Sequence, residues 1–152
     1  MALRPDRNEV VTDISFFMNE AAERGVIVTA ATQGSGAAMD DSSAAVNIAN
    51  AVGDKPVGLL LNDVVDLDLT RQHINYAKDE VQKGGKVAVL RVGTVVTDQI
   101  SGAITMGEPA HFTNVGLLTS ETVQNDAAST SIGRWLSKKD ADGFAKVAIN
   151  IV

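Results

Sequence analysis

The chain of 152 residues contains no cysteine. Disulfide bonds and thiolate metal sites are therefore excluded, and the stability of the fold has to come from packing or association. Aromatic residues make up only 4% of the sequence, and the two histidines, His73 and His111, lie in separate segments. Because no H-E-x-x-H or similar spacing surrounds either histidine, we expect no metal site built on them.

Long apolar runs and basic runs are also missing. The longest purely aliphatic runs, such as Leu59–Leu61, fall far short of the roughly 20 residues that span a bilayer, and the start of the chain has no signal-peptide apolar segment. The formal net charge is −6, with no basic run to compensate for it. We therefore expect a chain that folds in a reducing cytoplasm and binds neither nucleic acid nor a membrane.

Motifs that carry chemistry are scarce. G-x-S-x-G is absent, and Gly34-Ser35-Gly36 is not followed by the Lys-Ser/Thr of a phosphate-binding loop. Asp140-Ala-Asp142-Gly143 looks like the start of a calcium loop, but its twelfth position is Ile151 in place of the required glutamate, so a hairpin turn is favoured. We expect no catalytic residues, no cofactor and no metal, and hence not an enzyme; a small hydrolase that uses His73 or His111 is a remote alternative.

Short valine- and leucine-rich runs separated by glycines dominate Lys55–Thr119. Lys86–Val92 is followed by Gly93–Thr97, and Gly107–Val115 is followed by Gly116–Thr119. The repeated pattern predicts successive β-hairpins with the glycines at turns or bulges. The predicted fold class is mainly β, a small barrel or sandwich with at most one or two short helices.

Other strand candidates lie on both sides of this region: Val26–Thr29, Val46–Ala51, Val57–Leu61 after a turn at Asp54–Pro56, and a hairpin of Ile132–Lys139 with Phe144–Ile151. In the last strand Val147, Ile149 and Ile151 alternate on one face. The sole tryptophan, Trp135, is interpreted either as a core residue or as a ligand platform.

Two segments favour helix. Glu20–Arg24 could form one helical turn that Gly25 ends. Asp68 or Thr70 could cap a longer helix whose apolar residues share one face: Ile74, Ala77 and Val81. Whether residues 62–82 form this helix or an extended arm stays open. The segments Thr32–Ser43 and Thr119–Ser131, rich in small polar residues, are predicted to be surface loops.

Residues 1–18 are predicted to be an N-terminal arm, and residues 19–152 a single β-rich domain. From Ala2 to Thr12 only Val10 and Val11 offer apolar surface to bury, so this stretch is not expected to fold alone. Phe16 and Phe17 would face opposite ways on a strand. Either both enter the core, or at least one of them anchors on a partner.

A succession of stretches along the chain carries a family resemblance: Leu3–Val10, Thr12–Met18, Glu23–Gly25, Gly34–Asp40, Pro56–Val64, Leu67–Arg71, Gly84–Lys86, Gly133–Ser137 and Asp142–Phe144. Together they cover nearly the whole sequence. In this order they resemble the capsid decoration, or cement, proteins of tailed bacteriophages.

The resemblance implies a structural virion protein that binds the outer surface of an icosahedral capsid and clamps neighbouring subunits of the major capsid protein. Such proteins are made in the host cytoplasm. They often act as homotrimers, although dimeric and monomeric relatives exist, so a homo-oligomer, with a trimer favoured, is expected. Its capsid-binding residues would lie in the arm: Leu3, Arg4, Asp6, Arg7, Val10, Ile14, Phe16 and Phe17. The alternative is a tail-fibre or adhesin β-domain that binds host glycan, suggested only by Thr119–Ser131 and Trp135.

Overall fold

The computed structural model describes residues 2–31, 45–51, 53–63, 67–68, 73–74, 79–124 and 127–151. These residues contain fifteen strands and no helix, so the predicted mainly β fold class is confirmed. The strands are β1 (Asn8–Met18), β2 (Ala22–Glu23), β3 (Ile27–Ala30), β4 (Ala45–Ile48), β5 (Pro56–Asp63), β6 (Leu67–Asp68), β7 (His73–Ile74), β8 (Glu80–Val81), β9 (Lys86–Thr97), β10 (Pro109–Phe112), β11 (Leu118–Thr119), β12 (Val123–Gln124), β13 (Ala127–Ala128), β14 (Gly133–Trp135) and β15 (Ala145–Asn150).

Nine strands form one sheet in the order β1-β4-β3-β5-β9-β15-β14-β10-β11, and β1 also pairs with β9. Because of this additional pairing, β1, β4, β3, β5 and β9 hydrogen bond in a closed ring. The β1–β4 pair is parallel, and the other pairs of the ring are antiparallel. Each of three further small sheets has two strands: β2 with β8, β6 with β7, and β12 with β13.

The longest strand, β9, connects the two parts of the sheet. Its residues 87–90 pair with both β1 and β5, so those two strands lie on opposite edges of β9. Farther along, residues 92–94 pair with both β1 and β15. The strand β1 therefore follows one edge of β9, while β5 and then β15 follow the other edge.

The core lies on both faces of β3 and β5. Ile27, Leu59 and Leu61 belong to a first hydrophobic cluster, which also contains Trp135. Their neighbours in the chain point the other way, so that Val28 and Leu60 belong to a second cluster. Strands buried on both faces read as continuous apolar runs instead of alternating ones, which explains the unbroken sequences around Val28 and Leu60.

The glycines behave as expected at one predicted hairpin and differently at the other. Gly116, with φ of 79°, lies in the turn between β10 and β11, so that hairpin is confirmed. The predicted hairpin at Gly93 is wrong, because β9 continues through it. A Cβ atom on Gly93 would lie 2.2 Å from the carbonyl oxygen of Asn8. The glycine therefore allows β1 to approach closely, and the register of β1 on β9 shifts next to it.

The two helix predictions are wrong at the residues that the structure describes. Ala22 lies on β2 and pairs with Val81 on β8, where both side chains are buried in the second cluster. Asp68 pairs with His73 across β6 and β7. Ala22 and Val81 are distant in sequence, whereas Asp68 and His73 form a short local ladder. In both places strand pairing overrides local helix propensity. Thr70 and Ala77 lie outside the described residues.

The outcome of the remaining strand and loop predictions differs from segment to segment. The strands at Val26–Thr29, Val46–Ala51 and Val57–Leu61 and the hairpin at the end of the chain are confirmed within a few residues. The loop predicted over Thr119–Ser131 is wrong in part, because Val123 pairs with Ala128 there. The predicted loop Thr32–Ser43 lies outside the described residues. Within the described ranges, no helix is long and apolar enough to cross a membrane.

Candidate interaction surface

The predicted capsid-binding residues are divided between the core and the surface. Leu3 is only 2% exposed and belongs to the first cluster. It forms an isolated antiparallel bridge with Thr97, the last residue of β9. Leu3 therefore cannot contact a partner in this structure, and we leave it out of the candidate surface.

Arg4 binds the turn between β14 and β15. Its Nη2 atom lies 3.4 Å from Oδ2 of Asp140 and 3.5 Å from Oδ2 of Asp142, and its guanidinium carbon lies 4.2 Å from the ring centroid of Phe144. Asp140 Oδ1 also accepts hydrogen bonds from the backbone N–H groups of Asp142 and Phe144, each at 2.9 Å. The predicted hairpin turn is confirmed, and a guanidinium lies against its two carboxylates.

Val10 and Ile14 are the most exposed apolar residues of β1, at 64% and 54%. Val10 is an extra residue in the ladder, because Glu9 faces Gly93 and Val11 already faces Val92. The register shifts again between Val11 and Thr12 and a third time between Asp13, which faces Val89, and Phe16, which faces Val87. Bulges of this kind redirect side chains. Here they occur where β1 exposes its branched apolar residues Val10, Val11 and Ile14.

Among the strands that the structure describes, only β4 lies along the second edge of β1, and it reaches only the end of that edge. Among the described residues, β1 pairs with β4 only at Phe17 and Met18. Residues 8–16 therefore pair with β9 on one side and with no described strand on the other. Asn8–Met18 contains no lysine, arginine or proline, the residues with which proteins commonly protect exposed edges.

Asp13 supplies a negative charge in the middle of this edge. A side-chain hydrogen bond from Ser15 and a second one from the Ser15 backbone N–H, at 2.8 Å, lower the pKa of Asp13, with a smaller contribution from the charge of Arg91. Nearer the start of β1, Arg7 Nε donates to Glu9, and Asp6 is exposed. The surface is therefore apolar at Val10 and Ile14 and charged between and beside them.

Phe16 and Phe17 lie where β1 enters the core, and both are half-buried. Phe16 packs against the second cluster. Lys86 Nζ lies 5.9 Å from the ring centroid of Phe17, on the neighbouring strand β9. The two rings close one end of the candidate surface, which consists of Val10, Val11, Asp13, Ile14 and Ser15.

Val11 and Ser15 were not among the residues expected from the sequence. Val11 is exposed, and Ser15 holds the Asp13 carboxylate. The paired valines at positions 10 and 11 were a signal, since strict alternation would have buried one of them. The bulges next to them depend on the register with β9, which local sequence does not encode.

The described residues contain little else that could carry chemistry. No group of three or more histidine, aspartate or glutamate side chains in the described part of the chain could hold a metal ion. His111 is buried on β10, with Nδ1 3.2 Å from the carbonyl oxygen of Ser129 and with no hydrogen-bond partner for Nε2 among the residues that the structure describes. Nothing is described of the side chain of His73, and Gly34–Gly36 lies outside the described residues.

Trp135 is fully buried in the first cluster. Its indole Nε1 donates a hydrogen bond to the carbonyl oxygen of Thr119 at 3.4 Å. The core interpretation of Trp135 is confirmed, and its ring is not available as a platform for a ligand.

The sequence was also compared with known proteins. It matches no protein-family model, and no curated protein matches it.

Proposed function

We propose that this protein is a structural virion protein that binds the outer surface of a tailed-phage capsid and cements neighbouring subunits of the major capsid protein. One observation carries the proposal. The strand β1 exposes Val10 and Ile14 at two bulges, on an edge that no described strand covers over residues 8–16. The order of segments along the chain, which resembles capsid decoration proteins, supports the choice of partner.

A strand edge that no described strand covers, with apolar residues exposed beside it, favours association. Proteins usually protect such edges with charged residues, above all lysine, with proline, with bulges or with a covering element. The sequence of β1 contains neither lysine nor proline, although it has the carboxylates of Glu9 and Asp13 and an irregular register. Burying the side chains of Val10 and Ile14 against a partner would contribute roughly 1.5–3 kcal/mol each. That contribution is modest for one copy, but many copies on one shell, linked as a homo-oligomer, increase the overall affinity through multivalency.

The test is co-sedimentation of the purified chain with expanded, undecorated capsids of the parent phage, with bound copies counted per shell. Saturable binding at a stoichiometry set by the symmetry of the shell is the expected result. A trimer at local three-fold axes, the oligomer that we favour, predicts bound copies in multiples of three per site, and analytical ultracentrifugation of the free chain measures the oligomer independently.

Matched variants locate the interface. Val10→Lys and Ile14→Lys place a charge on the candidate surface, whereas Met106→Lys and Val115→Lys place it at residues that are 69% and 56% exposed elsewhere. We expect the first pair to weaken capsid binding at least tenfold and the second pair to leave it unchanged. Equal loss in both pairs would exclude β1 as the specific interface, and no binding by the unmodified chain would remove the capsid proposal itself.

Substitution is a better test here than deletion. Removing residues 2–12 would also remove Leu3 from the first cluster, so lost binding could reflect an unfolded domain.

The glycan-binding alternative rested on Trp135 and the segment after Thr119, and the burial of Trp135 removes its main feature. Retention on a host-polysaccharide array, together with no capsid binding, would restore it.

A further inference from the structure

Burial is distributed unevenly along the first residues of the chain. Ala2 and Leu3 are almost completely buried. From residue 5 to residue 15, all residues are exposed except Arg7 and Asp13, which are partly buried. A short buried anchor therefore precedes a long stretch that buries almost no apolar surface.

The anchor is held by specific contacts at the end of β9. The backbone N–H of Arg4 donates to the carbonyl oxygen of Val96 at 3.0 Å. Thr97 Oγ1 donates to the carbonyl oxygen of Ala2 at 2.9 Å. Gly25 leaves room for the Thr97 hydroxyl that makes this hydrogen bond, because an added Cβ would lie 2.9 Å from Thr97 Oγ1.

Charged side chains lie on two sides of the buried residues Ala2 and Leu3, the anchor. Arg4 lies against Asp140 and Asp142 on one side. On the other side, Asp79 accepts a hydrogen bond from the backbone of Ala2 and is paired with Arg24, with 2.9 Å between Arg24 Nε and Asp79 Oδ1. Residues 2–4 thus connect the turn at 140–143 with the pair formed by Arg24 and Asp79.

Beyond the anchor, the segment is held mainly by backbone pairing. Residues 8–13 pair with β9 through an interrupted register, and their other edge has no described strand. Segments with few buried apolar contacts and exposed backbone hydrogen bonds open locally at a lower free energy than the core. The stretch from 5 to 15 has these properties, and the large apolar side chain buried directly before it is Leu3.

We infer that residues 2–15 form a strap that opens as a unit from β9, with Leu3 as its anchor, and that the open strap extends onto the partner. The second part rests on the proposed function and refines it, because Val10 and Ile14 then reach the partner on the open strap and not on the closed strand. Fully extended, these residues reach on the order of 45–50 Å, far enough to cross from one capsid subunit to the next. Opening also uncovers the edge of β9, so the strap protects that edge in the closed state.

Trypsin cleavage after Arg7 measures opening of the strap. Arg4 precedes Pro5, a bond that trypsin does not cut, so Arg7 is the cleavage site within the strap. When opening and closing are fast, the cleavage rate follows the population of the open form. Leu3→Ala should increase that rate on the order of 100-fold, because it deletes the anchor side chain.

Leu118→Ala is the matched control, since Leu118 is a fully buried leucine of the same first cluster and lies outside the strap. We expect it to lower global stability without increasing cleavage after Arg7. Equal acceleration by both variants would mean that Arg7 becomes accessible only through global unfolding, which overturns the inference that the strap opens by itself.

If either variant does not fold, native-state hydrogen exchange of the unmodified chain decides. Amides of residues 8–13 should exchange before those of β15, and simultaneous exchange overturns the inference.

A reversible disulfide between β1 and β9 tests whether the partner binds the open strap. Asn8 and Thr94 are directly opposite on β1 and β9, and opposite residues of antiparallel strands have Cα atoms about 4.5–5.5 Å apart, which suits a disulfide. The chain has no other cysteine. Oxidised N8C/T94C should resist cleavage after Arg7 and bind capsids at least tenfold more weakly, and reduction should restore both properties.

The outcomes separate the two proposals. If the oxidised and reduced forms bind capsids equally, strap opening plays no part in binding and the second part of the inference is overturned, while the capsid function stands. If neither form binds capsids, the proposed function fails and the second part of the inference fails with it. The cleavage rates still decide whether the strap opens: cleavage equally fast in both redox forms overturns the opening itself.

Discussion

Leu3 is the residue on which the start of the chain depends. It is preceded and followed by few apolar residues, yet it packs in the same cluster as Trp135. A short polar segment can therefore be bound to the domain by one side chain. Its energetic contribution is that of a core leucine, because its exposed area is almost zero.

We expect Leu3→Ala to lower the free energy of unfolding by about 2–5 kcal/mol, from lost apolar burial and the cavity left behind. Urea unfolding followed by the fluorescence of buried Trp135 measures the change. Val10→Ala, at an exposed position of β1, should change stability by no more than about 0.5 kcal/mol. Similar small effects for both variants would show that Leu3 is not part of the core in solution.

The lowered pKa of Asp79 predicts that part of the stability of the fold is lost in acid. Burial by itself raises the pKa of Asp79, but hydrogen bonds from the Ala2 backbone and from Arg24, together with the charge of Arg24, outweigh it, so the pKa lies below its usual value of 3.8. A carboxyl group whose pKa is lower in the folded than in the unfolded state stabilises the fold fully above the unfolded-state pKa. That contribution is lost as the pH falls through the folded-state value.

We therefore expect stability to decrease as the pH falls below about 4, and Asp79→Asn to make this decrease less steep. The measurement is the urea midpoint of both proteins between pH 6 and pH 2.5. Arg24→Gln removes the cation instead of the carboxyl group and should reduce the steepness in the same window. Identical pH profiles for the unmodified chain and Asp79→Asn would exclude a stabilising role of this carboxylate.

Among the elements, β9 decides the arrangement, because three other strands pair along it: β1, β5 and β15. Its close approach to β1 depends on Gly93, where an added Cβ would overlap the backbone oxygen of Asn8. A backbone atom cannot move aside as a flexible side chain does. The contact between β1 and β9 is therefore sensitive to a single methyl group.

We expect Gly93→Ala to displace β1 locally and to lower the free energy of unfolding by about 1–3 kcal/mol, as overpacking does. Trypsin cleavage after Arg7 should also become faster. Gly53→Ala is the control, because a Cβ at Gly53 meets nothing within 4 Å. Unchanged stability and cleavage in Gly93→Ala would mean that β1 does not lie this close to β9 in solution.

The small strands show why the element predictions failed where they did. Ile74 and Val81 have a spacing that suits one helix face, but they lie on β7 and β8. Strand β8 pairs with β2, far away in sequence. Local spacing contains no information about such a partner. By contrast, the hairpin of β14 and β15 was predictable, because its alternating pattern and its Asp-Gly turn are local signals.

At the scale of the whole molecule, the two hydrophobic clusters share the same strands. Leu59 and Leu60 are consecutive on β5 but belong to the first and the second cluster, respectively. Neither cluster can lose its packing without disturbing β5. The described part of the protein should therefore unfold in a single cooperative transition.

We expect Leu59→Ala and Leu60→Ala each to lower the free energy of unfolding by about 2–5 kcal/mol. In both variants, Trp135 fluorescence, which reports on the first cluster, should change at the same urea concentration as far-UV circular dichroism. An earlier transition in circular dichroism alone for Leu60→Ala would show that the second cluster unfolds independently.

The sequence by itself determined the β class, the final hairpin and the absence of cysteine chemistry, because alternation, turn residues and composition are local properties. Only the tertiary structure decided that Leu3 is buried while Val10 and Ile14 are exposed. These three residues are all apolar and lie in one polar segment, so composition does not separate them. Their burial depends on how Leu3 and β1 pair along β9 and on the close approach that Gly93 allows, which arise only when distant parts of the chain meet.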